Sequence, residues 1–146
     1  MTTLVSYRVL SEDTAAMLHG SDVFDFAIKP DQLDAFLADP NHVMMLACHG
    51  DRLVGFASGT VLYHPDKDPT LFVNEVSVSE THRRDGIATE LMSRLQDCAN
   101  SLGCTSVWVA TEDDNAPARA LYRSVNGREQ LGLVVYDWGD PADPET

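Results

Sequence analysis

Val76-Ser77-Val78-Ser79-Glu80-Thr81-His82-Arg83-Arg84-Asp85-Gly86-Ile87-Ala88 is the stretch that decides how this chain is read. An alternating β-type run, V-S-V-S, ends in a short polar turn. Two arginines, a glycine and an alanine then open a helical pattern. The first N–H groups of a helix have no partner within it. Gly86 lets the backbone approach a ligand closely, and Ala88 keeps the wall low. Free amides at such a turn bind pyrophosphate, which points to a nucleotide-type cofactor. A lone glycine before a helix is usually only a turn, so the surrounding pattern has to carry the reading.

Downstream, Ile87, Leu91, Leu95, Ala99 and Leu102 form one apolar helical stripe, and Gly103 is a good stop. Ser106–Thr111 then reads as a strand. Strand, helix and strand within about 40 residues make a right-handed crossover between parallel strands. Pro117 opens a further short helix, and Leu131–Trp138 reads as a final strand. Upstream, Leu71–Val78 is a strand and His64–Pro69 a loop. Val43–Cys48 and Leu53–Leu62 flank H-G-D-R as a hairpin. Pro30 starts a helix that Pro40 stops, Ser11 caps a short helix ending at Gly20, and Val5–Leu10 is an edge strand. The expectation is a single α/β domain over residues 1–146 with a mixed central sheet and flanking helices, its tail, 139–146, frayed.

With 23 acidic and 10 basic residues the net charge is −13, which argues against nucleic acid or an anionic membrane as partner and suits a cationic substrate. Acidic surfaces also serve solubility alone. Cys48, Cys98 and Cys104 form no metal-type cluster, so no metal site is expected. Their odd number fits thiols in a reducing cytoplasm. No apolar run reaches the roughly 18 residues of a membrane span.

The turn, its V-S-V-S lead-in and the later N-A-P-A-R-A-L-Y segment together resemble the GNAT superfamily of acetyl-CoA-dependent N-acetyltransferases. Arg83-x-x-Gly86-x-Ala88 is similar to the family turn Q/R-x-x-G-x-G/A. The resemblance covers residues 71–125 by motif and most of the chain by pattern. It implies that backbone N–H groups of Arg84, Asp85, Gly86, Ile87, Ala88 and Thr89 hold the coenzyme A pyrophosphate, with Arg83 adding positive charge beside them. It implies that strands ending near Val78 and 106–111 splay apart, with the pantetheine arm against Val76, Ser77 and Val78. Asn115 and Ala118 contact that arm, although Asn115 also reads as a plain helix cap. Tyr122 matches the general acid that protonates the leaving thiolate. A phenol of pKa about 10 suits a thiol of about 8.5, but an A-L-Y aromatic is also an ordinary core residue.

An attacking amine must be neutral, and a lysine-like amine of pKa about 10.4 is protonated at pH 7. A carboxylate in the cleft can hold the cation and take its proton. Glu75, just before the coenzyme-binding edge, is the favoured base; an exposed strand carboxylate is the bland reading. Glu112, Asp113, Asp114 and Asp137 could line a site for a polycation, and His64 and His82 are further candidate bases. No cysteine is placed by motif as a nucleophile, so direct transfer is expected.

More narrowly, D-V-F-D-F, G-D-R-L-V-G-F, the quoted turn, R-A-L-Y, Arg128-Glu129 and a late aromatic-aspartate segment resemble the aminoglycoside 3-N-acetyltransferases. That similarity implies an aminoglycoside acceptor, with acidic positions at Glu75 and Asp137, and a homodimer paired near its last strands. The pattern departs after the tyrosine, where L-G-[FI] is replaced by Val125-Asn126-Gly127. A polyamine, a small amino metabolite or a protein amine is the alternative acceptor. A catalytically silent coenzyme-binding module and a plain structural protein are the readings outside that class.

Overall fold

A computed structural model describes residues 4–139. Five strands lie in the order β1 (Val5–Val9), β2 (His42–His49), β3 (Arg52–Leu62), β4 (Thr70–Val78) and β5 (Ser106–Trp108). The first four are antiparallel, and β5 is parallel to β4. Helices α1 (Pro30–Ala38), α2 (Ile87–Ser101) and α3 (Ala116–Ser124) complete the domain. The hairpin turns at Gly50, whose φ of 64° lies in the left-handed region that such tight turns require.

Both faces of the sheet are covered, which is why β2 is apolar at every interior position. Val43, Met45 and Ala47 point into a core closed by Ile87, Leu91, Leu95 and Ala99 of α2. Met44, Leu46 and Cys48 point the other way, toward Leu18, Val23, Phe24 and the Leu33–Phe36 face of α1. Gly55 on β3 permits the close approach of α2: a Cβ there would stand 3.3 Å from Leu91 Cδ1 and 3.1 Å from Ser77 O.

One irregularity sets the chemistry of β4. Ser58 pairs with Glu75 but Gly59 pairs with Val73, so Asn74 is an extra residue, a β-bulge. Leu71 and Val73 belong to the α2 core, and past the bulge Val76 and Val78 pack against the same core. The one-residue shift therefore turns Glu75 and Ser77 to the opposite face.

Four expectations are corrected. Residues 11–14 form a turn rather than helix, because Ser11 N–H donates to Thr14 Oγ1 at 2.9 Å, and only Ala15–Leu18 form a 3-10 turn. Leu102 leaves the α2 stripe: the helix ends at Ser101, and Leu102 is 42% exposed. β5 stops at Trp108, after which Asn115 N–H to Glu112 O (3.1 Å) closes a loop turn in place of sheet bonds. Leu131–Trp138 is not a strand; Leu131, Leu133, Val134, Val135, Tyr136 and Trp138 are all exposed. β-type composition reports only fitness for a pleated, half-buried surface, and no described strand gives this segment such a surface. Of the frayed tail expected at 139–146, residues 140–146 lie outside the described residues.

Candidate active site

The turn between β4 and α2 is built as its sequence implies. Val78 ends β4, a short 3-10 turn spans Glu80–His82, and Gly86 caps α2 at φ 77°. Arg84 also lies in the left-handed region, at φ 68°, a conformation costing an L-residue about 1–2 kcal/mol. Two left-handed residues flanking Asp85 curl the chain into a concavity of N–H groups. The N–H groups of Arg84, Asp85, Gly86, Ile87, Ala88 and Thr89 have no backbone or side-chain acceptor among the described residues; the first bond of α2 runs from Glu90 N–H to Gly86 O, 3.1 Å. A Cβ built at Gly86 meets nothing within 4 Å, so the cradle is open. Arg83 and Arg84 are exposed beside it. The donor set fits a diphosphate, with six amides, a helix N-terminus and two guanidinium groups.

The crevice beside the turn follows from β5 being short. β4 and β5 pair only at Thr70–Ser106, Leu71–Val107 and Phe72–Trp108. From Val73 to Val78, β4 has no strand paired on that side among the described residues, so the cradle opens onto a free sheet edge at Val76–Val78.

Tyr122 lies on α3, half-buried against the α2 core, and burial raises its phenol pKa. It therefore stays protonated through the working range of an enzyme. Asn115 caps α3, its Oδ1 accepting from Ala118 N–H at 3.1 Å, so both residues serve the helix start. The departure at Val125–Gly127 now has a reason. Gly127 N–H donates to Tyr122 O (2.8 Å) and Asn126 N–H to Arg123 O (3.0 Å), with Asn126 at φ 68°. This is a Schellman C-cap, with asparagine taking the left-handed position. A Cβ at Gly127 would stand 2.7 Å from Tyr122 O, so the glycine is required.

Glu75 faces away from α2, open to solvent on one side. Its carboxyl is raised above the usual range, first by desolvation and then by the Asp25 carboxylate. Asp25 and its neighbour Asp22 were not singled out from sequence as site residues. They belong to a segment bound to β4 by side chains: Ser77 Oγ donates to Val23 O (2.8 Å) and Ser79 Oγ to Asp22 Oδ2 (3.2 Å). Phe24 stacks on Phe56 at 4.5 Å and anchors it. The only signal in the sequence was the acidic-aromatic pattern D-V-F-D-F.

The remaining acidic candidates are more dispersed. Glu112, Asp113 and Asp114 form an exposed loop, where Asp113 O accepts from Arg119 Nη1 at 2.7 Å. Asp137 sits in the exposed segment past α3. That segment is tied at its root by Glu129, which bonds Arg119 (2.7 Å) and Arg123 (2.8 Å) and is lowered to about 2 by those hydrogen bonds. His64 is in an exposed loop, and His82 is engaged by His49 and Thr81. All three thiols are free and raised by burial, which disfavours the thiolate. No group of three or more metal-ligating side chains occurs among the described residues, and none of their helices is long and apolar enough to cross a membrane.

A turn of unbonded N–H groups lying between two parallel strands that pair over only three residues is an arrangement able to receive a nucleotide-type coenzyme. The chain belongs to the acetyltransferase (GNAT) family, whose model matches residues 10–127. It is 37% identical over 87 residues to the L-2,4-diaminobutyric acid acetyltransferase of Oceanobacillus iheyensis, covering 60% of this chain but 46% of that protein, under half its length. It is 26% identical over 110 residues to an aminoglycoside N(6')-acetyltransferase type 1 of Serratia marcescens, covering 72% of this chain and 75% of that one. The fold matches aminoglycoside N-acetyltransferase AAC(6')-Iy in complex with CoA, with a TM-score of 0.80 at 17% identity over 94% of this chain and 97% of that chain.

Proposed function

We propose that this chain transfers an acetyl group from acetyl-CoA to a primary amine of a cationic small molecule, with an aminoglycoside as the favoured acceptor. The observation carrying this reading is the row of unbonded N–H groups at Arg84–Thr89, opening onto the bare edge of β4. These amides, with Arg83, hold the coenzyme diphosphate, and Val76, Ser77 and Val78 take the pantetheine arm beside Asn115 and Ala118. Acetyl-CoA supplies the activated acyl group as a thioester. Val76 N–H polarises the acyl carbonyl. Glu75 holds the substrate ammonium and accepts its proton, and its raised pKa brings it nearer the basicity that task needs. Tyr122 keeps its hydroxyl proton for the departing sulfur. Glu112, Asp113, Asp114 and Asp137 supply negative charge for a polycation, in keeping with the net charge of −13.

The position acylated is 3-N by the sequence motifs, whereas the Serratia relative is an N(6') enzyme and the Oceanobacillus relative acts on diaminobutyrate. A panel of sisomicin, neamine and L-2,4-diaminobutyrate with acetyl-CoA tests this, with product NMR to assign the nitrogen. Turnover on an aminoglycoside is expected. Turnover on diaminobutyrate alone sinks the aminoglycoside reading, and no stabilisation by CoA at a hundredfold excess over Kd, where about 2.7 kcal/mol is due, sinks the cofactor.

The working form is a homodimer in which residues 131–138 are covered by a second copy. L-G-L-V-V-Y-D-W is apolar on both faces, as in strands buried on both sides, yet Tyr136 and Trp138 are 76% and 87% exposed. Two such segments bring four aromatics, each able to bury about 150–250 Å². With the surface receiving them, this reaches the about 1,200 Å² of a stable interface. Light scattering should give twice the chain mass, and Val135→Asp should halve it; a monomeric wild type overturns the dimer.

A further inference from the structure

Four hydrogen bonds outside the crevice form one continuous line. His49 Nδ1 lies 3.0 Å from His82 Nε2, and His82 Nδ1 lies 2.9 Å from Thr81 Oγ1. Thr81 Oγ1 is 3.3 Å from Ser79 Oγ, which donates to Asp22 Oδ2 at 3.2 Å. The line runs from the end of β2, through the lead-in to the coenzyme turn, to the segment carrying Asp22 and Asp25. Ser79 is its buried centre, only 2% exposed.

Counting protons gives the line a direction. A carboxylate only accepts, so the Ser79 hydroxyl proton is committed to Asp22. Ser79 Oγ must then accept from Thr81, and Thr81 Oγ1 must accept from His82 Nδ1–H. His82 Nε2 is left as a lone pair, which His49 Nδ1–H fills. With the proton on Nδ1 of each ring, every donor points toward Asp22. One acidic side chain thus orders four others across three chain segments.

The turn has reason to need such bracing. Arg84 and Gly86 hold left-handed conformations, and Gly86 has no side-chain cap bond. The internal support of the lead-in is a backbone bond from His82 N–H to Ser79 O (2.9 Å), a longer one from Arg83 N–H to Glu80 O (3.5 Å), and Arg83 Nε to Val78 O (3.3 Å). The relay grips the same residues, 79, 81 and 82, from the side.

We propose that His49 and Asp22 are positioning residues for the coenzyme turn: the relay between them holds residues 79–82 so that the amides of Arg84–Thr89 are aimed at the diphosphate. This rests on the reading that the turn binds CoA. His49 lies outside the turn, the β4 edge and the acceptor flank, so its effect falls on coenzyme affinity and not on the acyl-transfer step.

The test uses the full chain, with CoA affinity by calorimetry and steady-state kinetics on the amine that gives turnover. His49→Leu removes the terminal donor and should raise Kd for CoA and KM for acetyl-CoA about three- to tenfold, with kcat at saturation unchanged. His49→Asn, whose amide N–H stands where Nδ1–H stood, should restore most of the affinity. Asp22→Ala should weaken CoA binding similarly, and the double variant should be no worse than about one single variant, since the two ends serve one network. Unchanged CoA affinity in both single variants, with or without a fall in Tm, overturns the inference while leaving the functional reading intact. An equal defect in His49→Asn and His49→Leu also overturns it. A wild-type chain that binds no CoA overturns both.

Discussion

The coenzyme turn and the acceptor flank meet at β4 but are made differently. The turn, residues 79–89, presents unbonded main-chain N–H groups, and its side chains mainly shape the backbone. The flank, residues 21–29 with Glu75, presents carboxylates brought together from separate segments and held to the end of β4 by Ser77 and Ser79. A backbone site is local, so a glycine, a small residue and a helix start announce it. A side-chain site is long-range, and no spacing in the sequence announces that Asp25 stands near Glu75. The same contrast separates α3, closed by local caps at Asn115 and Asn126, from residues 131–138, which are exposed and pair with no described strand.

The largest test of this contrast is Glu75→Gln, expected to lower kcat about 10²-fold or more while CoA Kd stays within about twofold. The wild-type pH–rate profile should rise with an apparent pKa above the ordinary carboxylate value of 4.5, because desolvation and Asp25 both favour the protonated form; that limb should disappear in the variant. A lost CoA affinity instead would merge the two regions.

Gly86→Val is the reciprocal change. Space for the side chain exists, but φ 77° suits no β-branched residue. CoA affinity should fall about tenfold, from a strain of about 1–2 kcal/mol, with the Glu75 limb unmoved in the residual activity. The smallest effect concerns Glu129, which is exposed. Its pKa is lowered to about 2 in the folded chain, so the support it lends is present above the unfolded carboxylate value and is lost as pH falls through about 2. Glu129→Gln should flatten the Tm-against-pH curve slightly between about pH 5 and 2. An unchanged curve would show that the Arg119–Glu129–Arg123 cluster adds nothing to stability.

Periodicity and local chemistry determined much of this protein on their own. The hairpin, α2 with its apolar stripe, the parallel crossover and the free amides at Arg84–Thr89 all follow from residues a few positions apart. So does the cap role of Asn115. Tertiary structure decided the rest: the bulge at Asn74 that turns Glu75 outward, the early end of β5, the approach of Asp22 and Asp25 to β4, and the fate of Leu131–Trp138. The physical reason is range. Hydrogen bonds within a turn and an i,i+4 stripe are written in neighbouring residues, whereas strand register, a second carboxylate and the pairing of a β-type segment depend on contacts whose partners lie tens of residues away.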